Sequence, residues 1–256
     1  MDKLLLAASI LFFLGAFIYV VVVLRQSQER TPRVNLLLMG AGFLLQCFVL
    51  HLRGQMHGRC PITGLAEVLI FISWSMVMLY FILGRSFRLS LLGLFTSPLV
   101  VLMQCGALVA LVILPDEPKP TDSLDIWLEL HASISLLSYG AFALACVAGI
   151  MYLVQDRLLK THDLNALFYN LPPISYLVKA ISRLLAIGLV LLTVGIVSAY
   201  LMRDKPSAMH LALSYGVWLG YAVLLGLYVG RRLGPKQVAV GATVVFVLPL
   251  VTLMAL

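Results

Sequence analysis

Long apolar runs separated by short polar connections are the dominant pattern of this chain. Eight runs approach the roughly 20 apolar residues that a helix needs to cross a hydrocarbon core of about 30 Å. They cover residues 4–24, 34–52, 64–83, 91–114, 128–154, 184–202, 211–229 and 238–256. The runs are uniformly apolar and lack the alternation of barrel strands. We therefore predict an all-α, polytopic membrane protein forming one transmembrane helical domain over residues 1–256.

The composition supports this class. Of the 256 residues, 62% are apolar and 11% are charged, against a charged fraction of about 25% in soluble domains. A soluble enzyme and a nucleic-acid-binding domain are excluded, because so few charges cannot cover a water-exposed surface. The first run has no net charge at its head (Asp2, Lys3) and no small-residue cleavage site after it, so we expect a retained helix.

The positions of the basic residues predict an orientation. About two thirds of the 18 Lys and Arg residues fall in the odd-numbered connections between runs, and the positive-inside rule places such connections in the cytoplasm. We predict a multi-pass protein of the inner (cytoplasmic) membrane with both termini on the outer side. The formal net charge of +7 is then an orientation signal, and no nucleic-acid partner is expected.

Four of the five histidines are predicted to lie on the outer side: His51, His57, His131 and His210. Neutral imidazole is a common ligand of haem iron, and two imidazoles from different helices can hold the iron from both faces. We predict haem as cofactor, with His131 and His210 as candidate iron ligands and His51 and His57 as further candidates. Trp127 precedes His131 by four residues and so shares its helical face. Histidines that only tolerate the membrane interface remain the alternative.

Charged and catalytic residues are scarce within the runs. No ionisable residue lies near the middle of a run, which disfavours an ion-coupled transporter, and no HExxH or GxSxG motif occurs. We expect no catalytic residues and no enzymatic activity. Glu67, in the first turn of the third helix, either complements the helix dipole or pairs with Arg53 or Arg59.

One cytoplasmic connection, near residues 155–183, is longer than the others. Its residues Tyr176, Lys179, Ala180 and Arg183 recur at helical spacing, which predicts an amphipathic elbow along the membrane interface. This segment carries the alternative function, in which the protein is a membrane scaffold or regulator that acts through the 155–183 loop without binding haem.

Three segments resemble signatures of the cytochrome c assembly protein family, of the CcsA type. The first runs from Pro61 through Glu67 to Trp74, the second joins Leu130-His131 to Ser138-Tyr139, and the third extends from Tyr152 to Lys160. The resemblance covers most of the chain and is strongest from about residue 60 to 200. Its most specific part is the second segment.

The resemblance implies haem handling at the outer membrane face during cytochrome c maturation, with His131 matching the first outer histidine of the family. It implies the lipid bilayer and proteins of cytochrome c maturation or haem biosynthesis as partners. The chain lacks the tryptophan-rich loop of the haem-delivering members and ends at Leu256. It is thus more similar to the eight-helix, HemX-like branch, whose members are often associated with haem biosynthesis. His210 matches no family motif and is a candidate from topology alone.

Overall fold

The computed structural model describes residues 1–25, 32–57, 60, 62, 64–87, 92–113, 125–162, 171–203 and 207–254. Every regular element in these ranges is a helix, and eight helical stretches are long and apolar enough to cross a membrane. The prediction of an all-α, multi-pass membrane protein is confirmed.

The helices follow the predicted runs closely. They are α1 (Asp2–Arg25), α2 (Pro32–His57), α3 (Leu65–Phe87), α4 (Leu92–Ile113), α5 (Ile126–Lys160), α6 (Ile174–Leu201), α7 (Ala208–Val229), α8 (Pro235–Val245) and α9 (Val247–Met254).

The segment that was predicted as an amphipathic elbow before the sixth span is not a separate element. Helix α6 begins at Ile174 and continues without a break into the span. The physical reason is that Leu177, Val178 and Ile181 are buried, so this segment packs as the first turns of α6. Residues 163–170 of the proposed scaffold loop lie outside the described residues.

The last span is broken in the middle. Helix α8 ends at Val245 and α9 begins at Val247, with Phe246 in a turn between them. Pro249 explains the break, because it has no N–H to donate to the carbonyl of Val245 and its ring crowds that carbonyl.

The chain divides into two compact units. Unit 1 contains Met1–Leu124 and Asn165–Asn170, and unit 2 contains Asp125–Leu164 and Leu171–Leu256. Helices α1–α4 belong to unit 1 and α5–α9 to unit 2. The prediction of a single transmembrane domain stays a prediction.

In unit 1, an apolar core is crossed by hydrogen bonds between helices. Gln104 Nε2 of α4 donates to Ser9 Oγ of α1 (3.2 Å), and Ser9 Oγ donates to the carbonyl of Gly42 in α2 (3.0 Å). Gln46 Nε2, one turn further along α2, donates to Ser73 Oγ of α3 (2.9 Å). Such bonds hold helices together in a membrane, where apolar burial alone gives little preference for one packing.

In unit 2, α5 is the central helix and packs against both α6 and α8 through small residues. Gly149 of α5 lies so close to α8 that a Cβ there would be 2.8 Å from the carbonyl oxygen of Ala239. Two turns earlier in α5, the ring of Phe142 stacks on Tyr221 with centroids 3.9 Å apart, and Gly188 of α6 leaves room for that ring. These close approaches fix the positions of the helices that carry the candidate ligands.

Candidate functional site

The start of α5 is fixed by Asp125. This residue caps the helix, and its Oδ1 accepts a hydrogen bond from the backbone N–H of Trp127 (3.0 Å). Its Oδ2 accepts from the backbone N–H of Arg203, just beyond the end of α6 (3.0 Å). The Arg203 N–H, together with the N–H groups of the cap, lowers the pKa of the Asp125 carboxyl. The carboxylate thus ties the first turn of α5 to the end of α6.

His131 lies in the second turn of α5 and is buried, with 7% of its surface exposed. Its ring nitrogen Nδ1 is 2.7 Å from the carbonyl oxygen of Gly195 in α6. The same carbonyl accepts a hydrogen bond from Ser198 Oγ at 2.7 Å. The ring is therefore held against α6 by a buried hydrogen bond.

His210 lies in the first turn of α7. Ser207 caps this helix, its Oγ accepting from the backbone N–H of His210 (3.2 Å), and Ser214 Oγ donates to the His210 carbonyl (3.0 Å). The imidazole rings of His131 and His210 have centroids 6.1 Å apart and planes inclined by 74°. The structure thus brings together the two histidines that were predicted as iron ligands.

The spacing and the donor set fit haem iron. A metal between two imidazoles on opposite sides of it, about 2 Å from one nitrogen of each, would have ring centroids about 6 Å apart, and the observed separation of 6.1 Å is compatible with this distance. Among the described residues, no three His, Cys, Asp or Glu side chains are grouped closely enough to hold a metal ion. A bare ion takes three or four protein ligands, whereas haem brings four porphyrin nitrogens and needs two axial ligands. Two imidazoles alone therefore suit haem better than zinc.

The other predicted haem contacts are distributed over both units. Trp127 precedes His131 by one turn of α5 and is 43% exposed. His51 and His57 lie on α2 in unit 1. His51 is exposed, with its ring centroid 6.5 Å from that of Phe48, and the side chain of His57 is outside the described residues. Ligand roles for His51 and His57 stay predictions.

Glu67 and Trp74 take part in the packing of unit 1. Glu67 Oε1 forms an ion pair with Arg53, one of the two pairings that the sequence left open, and Asp2 Oδ2 accepts from Arg53 Nη1 at 2.7 Å. Trp74 Nε1 donates to Cys47 Sγ (3.1 Å). The sequence did not predict Asp2 as a partner, because nothing in the spacing brings the first helix to this place.

Sequence reasoning also missed the contacts that position His131. Gly195 contributes a backbone carbonyl, and the Asp125–Arg203 contact joins residues far apart in the sequence. A small residue in an apolar helix was the available signal at Gly195, since small residues mark close helix contacts in membranes. A small residue does not identify the side chain that packs against it.

Together, the fold and the site define a multi-pass helical membrane protein with two adjacent imidazoles near the ends of two helices of one unit. The family model described as "Cytochrome C assembly protein" matches residues 62–255, which include His131 and His210. The chain belongs to this family, and the predicted resemblance is confirmed.

Individual relatives include proteins of both predicted types. The chain is 29% identical to Protein HemX of Brevibacillus brevis over 230 residues, which is 84% of this chain and 80% of that protein. It is 25% identical to Protein HemX of Bacillus subtilis, over 77% of this chain and 71% of that protein. It is 27% identical to Cytochrome c biogenesis protein CcsA of Chlamydomonas reinhardtii over 68% of this chain, and it spans about half (49%) of that protein.

Proposed function

We propose that this protein binds haem through His131 and His210 in the membrane and handles it during cytochrome c assembly or haem biosynthesis. The observation that carries the proposal is the 6.1 Å separation of the two imidazole centroids. The family, and the name of the relative Cytochrome c biogenesis protein CcsA, support a role in cytochrome c biogenesis. The protein performs no covalent chemistry of its own.

Each residue of the site has a binding or orienting role in this proposal. His131 and His210 hold the iron, which supplies a redox-active centre when haem is bound. The caps at Asp125 and Ser207 fix the N-terminal ends of α5 and α7, which carry His131 in the second turn of α5 and His210 in the first turn of α7. Trp127, which is 43% exposed one turn before His131, offers an aromatic surface for the macrocycle.

The location of the site follows from the predicted orientation. His131 and His210 are near the N-terminal ends of α5 and α7, and the positive-inside rule assigns both ends to the outer side of the inner membrane. Haem held there is available to proteins of cytochrome c maturation or haem biosynthesis, the partners proposed for this chain. The lipid bilayer surrounds the apolar faces of the spans.

The test is haem binding by the purified protein in lipid nanodiscs. We expect a low-spin absorption spectrum with two imidazole ligands, and a loss of that spectrum in His131→Ala and in His210→Ala. His162→Ala is the matched control, because it removes an exposed imidazole beyond the opposite end of α5 that is not a candidate ligand, and it should leave the spectrum unchanged. A two-imidazole spectrum that survives His131→Ala would refute the assignment.

The scaffold alternative predicts a different result. If the protein acts only through the 155–183 loop, no variant binds haem, and replacing Lys179 and Arg183 abolishes capture of a cytoplasmic partner while His131→Ala does not. This outcome would overturn the proposed haem function.

A further inference from the structure

We infer that the backbone carbonyl of Gly195 acts as a positioning group that sets the tautomer of His131 and leaves its Nε2 free to bind iron. The iron-binding role of Nε2 rests on the proposed function, whereas the tautomer of His131 does not depend on haem. It concerns α5 and α6 of unit 2 only.

The first step is the direction of the hydrogen bond. A carbonyl oxygen only accepts, so the contact of 2.7 Å between His131 Nδ1 and Gly195 O requires the proton to be on Nδ1. In a neutral imidazole the other nitrogen, Nε2, then carries the free lone pair. Because His131 is buried, with 7% exposed, neither water nor a change of ring orientation readily replaces this bond.

The second step is the effect on a bound metal. A ligating histidine usually donates its other ring N–H to a carbonyl or carboxylate, and this donation fixes the ring orientation and makes the ligand more basic. Gly195 O matches this role. Ser198 Oγ also donates to the same oxygen (2.7 Å), and the continuous helix α6 fixes the position of this carbonyl.

The third step is the requirement for glycine. A Cβ at position 195 would lie 2.5 Å from Ser135 Oγ and 3.4 Å from Ser135 N, in the turn of α5 that follows His131. A side chain there must displace either the Ser135 hydroxyl or α6 itself. With Ser135 in place, glycine at position 195 thus leaves the space in which the carbonyl of α6 approaches within hydrogen-bond distance of the His131 ring.

Two variants at position 195 distinguish a contact with the Ser135 hydroxyl from a contact with the backbone of α5. Gly195→Val extends beyond Cβ toward the backbone of α5, so turning the Ser135 hydroxyl does not relieve the contact. The pair Gly195→Ala with Ser135→Ala removes the 2.5 Å contact and leaves only distances of 3.4 Å and more. Gly216→Val is the matched control, because Gly216 of α7 has no atom within 4 Å of its Cβ position.

The measurement is nitrogen NMR of haem-free protein labelled with ¹⁵N-histidine in nanodiscs, with His131→Asn used to assign the signal. At neutral pH we expect wild-type His131 with Nδ1 protonated and Nε2 unprotonated. The double alanine variant and Gly216→Val should keep this signal, and Gly195→Val should lose it. The same variants are then titrated with haem, and we expect Gly195→Val to bind about 10-fold more weakly or worse.

Two results would overturn the inference: a wild-type His131 protonated on Nε2, or a folded Gly195→Val protein with the wild-type nitrogen signal. If Gly195→Val does not fold, the spectra of wild type and of the double alanine variant decide the question. The expected tautomer in a protein that binds no haem would refute the proposed function while leaving the role of Gly195 in place. Haem binding by a protein in which His131 is protonated on Nε2 would refute the role of Gly195 and leave the proposed function in place.

Discussion

A buried cluster of charges in unit 1 makes a strong and specific prediction about stability. Arg53 of α2 is fully buried, and its guanidinium contacts Glu67 of α3 and Asp2 of α1. The side chain of Glu67 is 4% exposed, whereas that of Asp2 is 14% exposed and also lies 3.5 Å from the N-terminal ammonium of Met1. Removing Arg53 therefore leaves Glu67 as the carboxylate with the least access to water.

The expected magnitude follows from this geometry. Breaking a buried ion pair by removing one partner costs about 3–5 kcal/mol, whereas replacing both partners with apolar residues is often close to neutral. We expect Arg53→Met to lower the unfolding free energy by about 3–5 kcal/mol. Adding Glu67→Leu should recover most of that loss. Glu67→Leu alone should cost less than Arg53→Met, because Asp2 still pairs with Arg53.

The assay is unfolding by SDS in mixed micelles, followed by the fluorescence of Trp74. The chain has three tryptophans, so replacing Trp127 and Trp218 with Phe leaves a reporter inside unit 1, where Trp74 stacks on Phe43. Lys3→Met is the matched control, since it removes one positive charge from an exposed position of the same unit. An Arg53→Met protein as stable as the Lys3→Met protein would refute the reasoning, and so would a double variant no more stable than Arg53→Met.

Two further predictions concern unit 2. The Asp125 carboxylate, whose pKa is lowered mainly by the N–H of Arg203, should protect that N–H from hydrogen exchange above the ordinary pKa of aspartate. The protection factor, which is the intrinsic exchange rate at each pH divided by the observed rate, should fall as the pH falls through the lowered pKa, and Asp125→Ala should abolish the protection at all pH values; a wild-type protection factor that does not change with pH would contradict this. Gly149→Ala should destabilise the protein by about 1–3 kcal/mol, because the new methyl would lie 2.8 Å from the Ala239 carbonyl oxygen. Gly226→Ala, with no atom within 4 Å, is the control in thermal unfolding, and equal melting temperatures for the two variants would show that the close packing is not required.

The helices themselves could be predicted from the sequence because their cause is local. A run of apolar residues long enough to cross a bilayer must satisfy its own backbone hydrogen bonds, and a helix does so within one segment. The same local information misplaced the start of α6. The spacing of Tyr176 and Lys179 is equally compatible with a separate interfacial helix and with the first turns of α6, and the structure shows one unbroken helix from Ile174 to Leu201.

The individual site residues could also be selected from the sequence, because neutral imidazole is a common ligand of haem iron and four histidines were predicted on one side of the membrane. The arrangement of these residues in space could not be predicted from the sequence. His131 and His210 belong to α5 and α7, and the 6.1 Å between their rings depends on how these helices pack. The pairing of Arg53 with Glu67 was one of two sequence alternatives, and the participation of Asp2 was not foreseen.

The sequence by itself determined the class of this protein, the number of spans, the family and the histidines worth testing, because length, hydropathy and motif are properties of contiguous residues. Only the tertiary structure decided which groups meet: His131 with Gly195 and His210, Arg53 with two carboxylates. The physical reason is that these contacts join residues far apart in the sequence and form only when the helices pack. A glycine in an apolar run shows that an approach is permitted, and the packed helices show which atom fills the space.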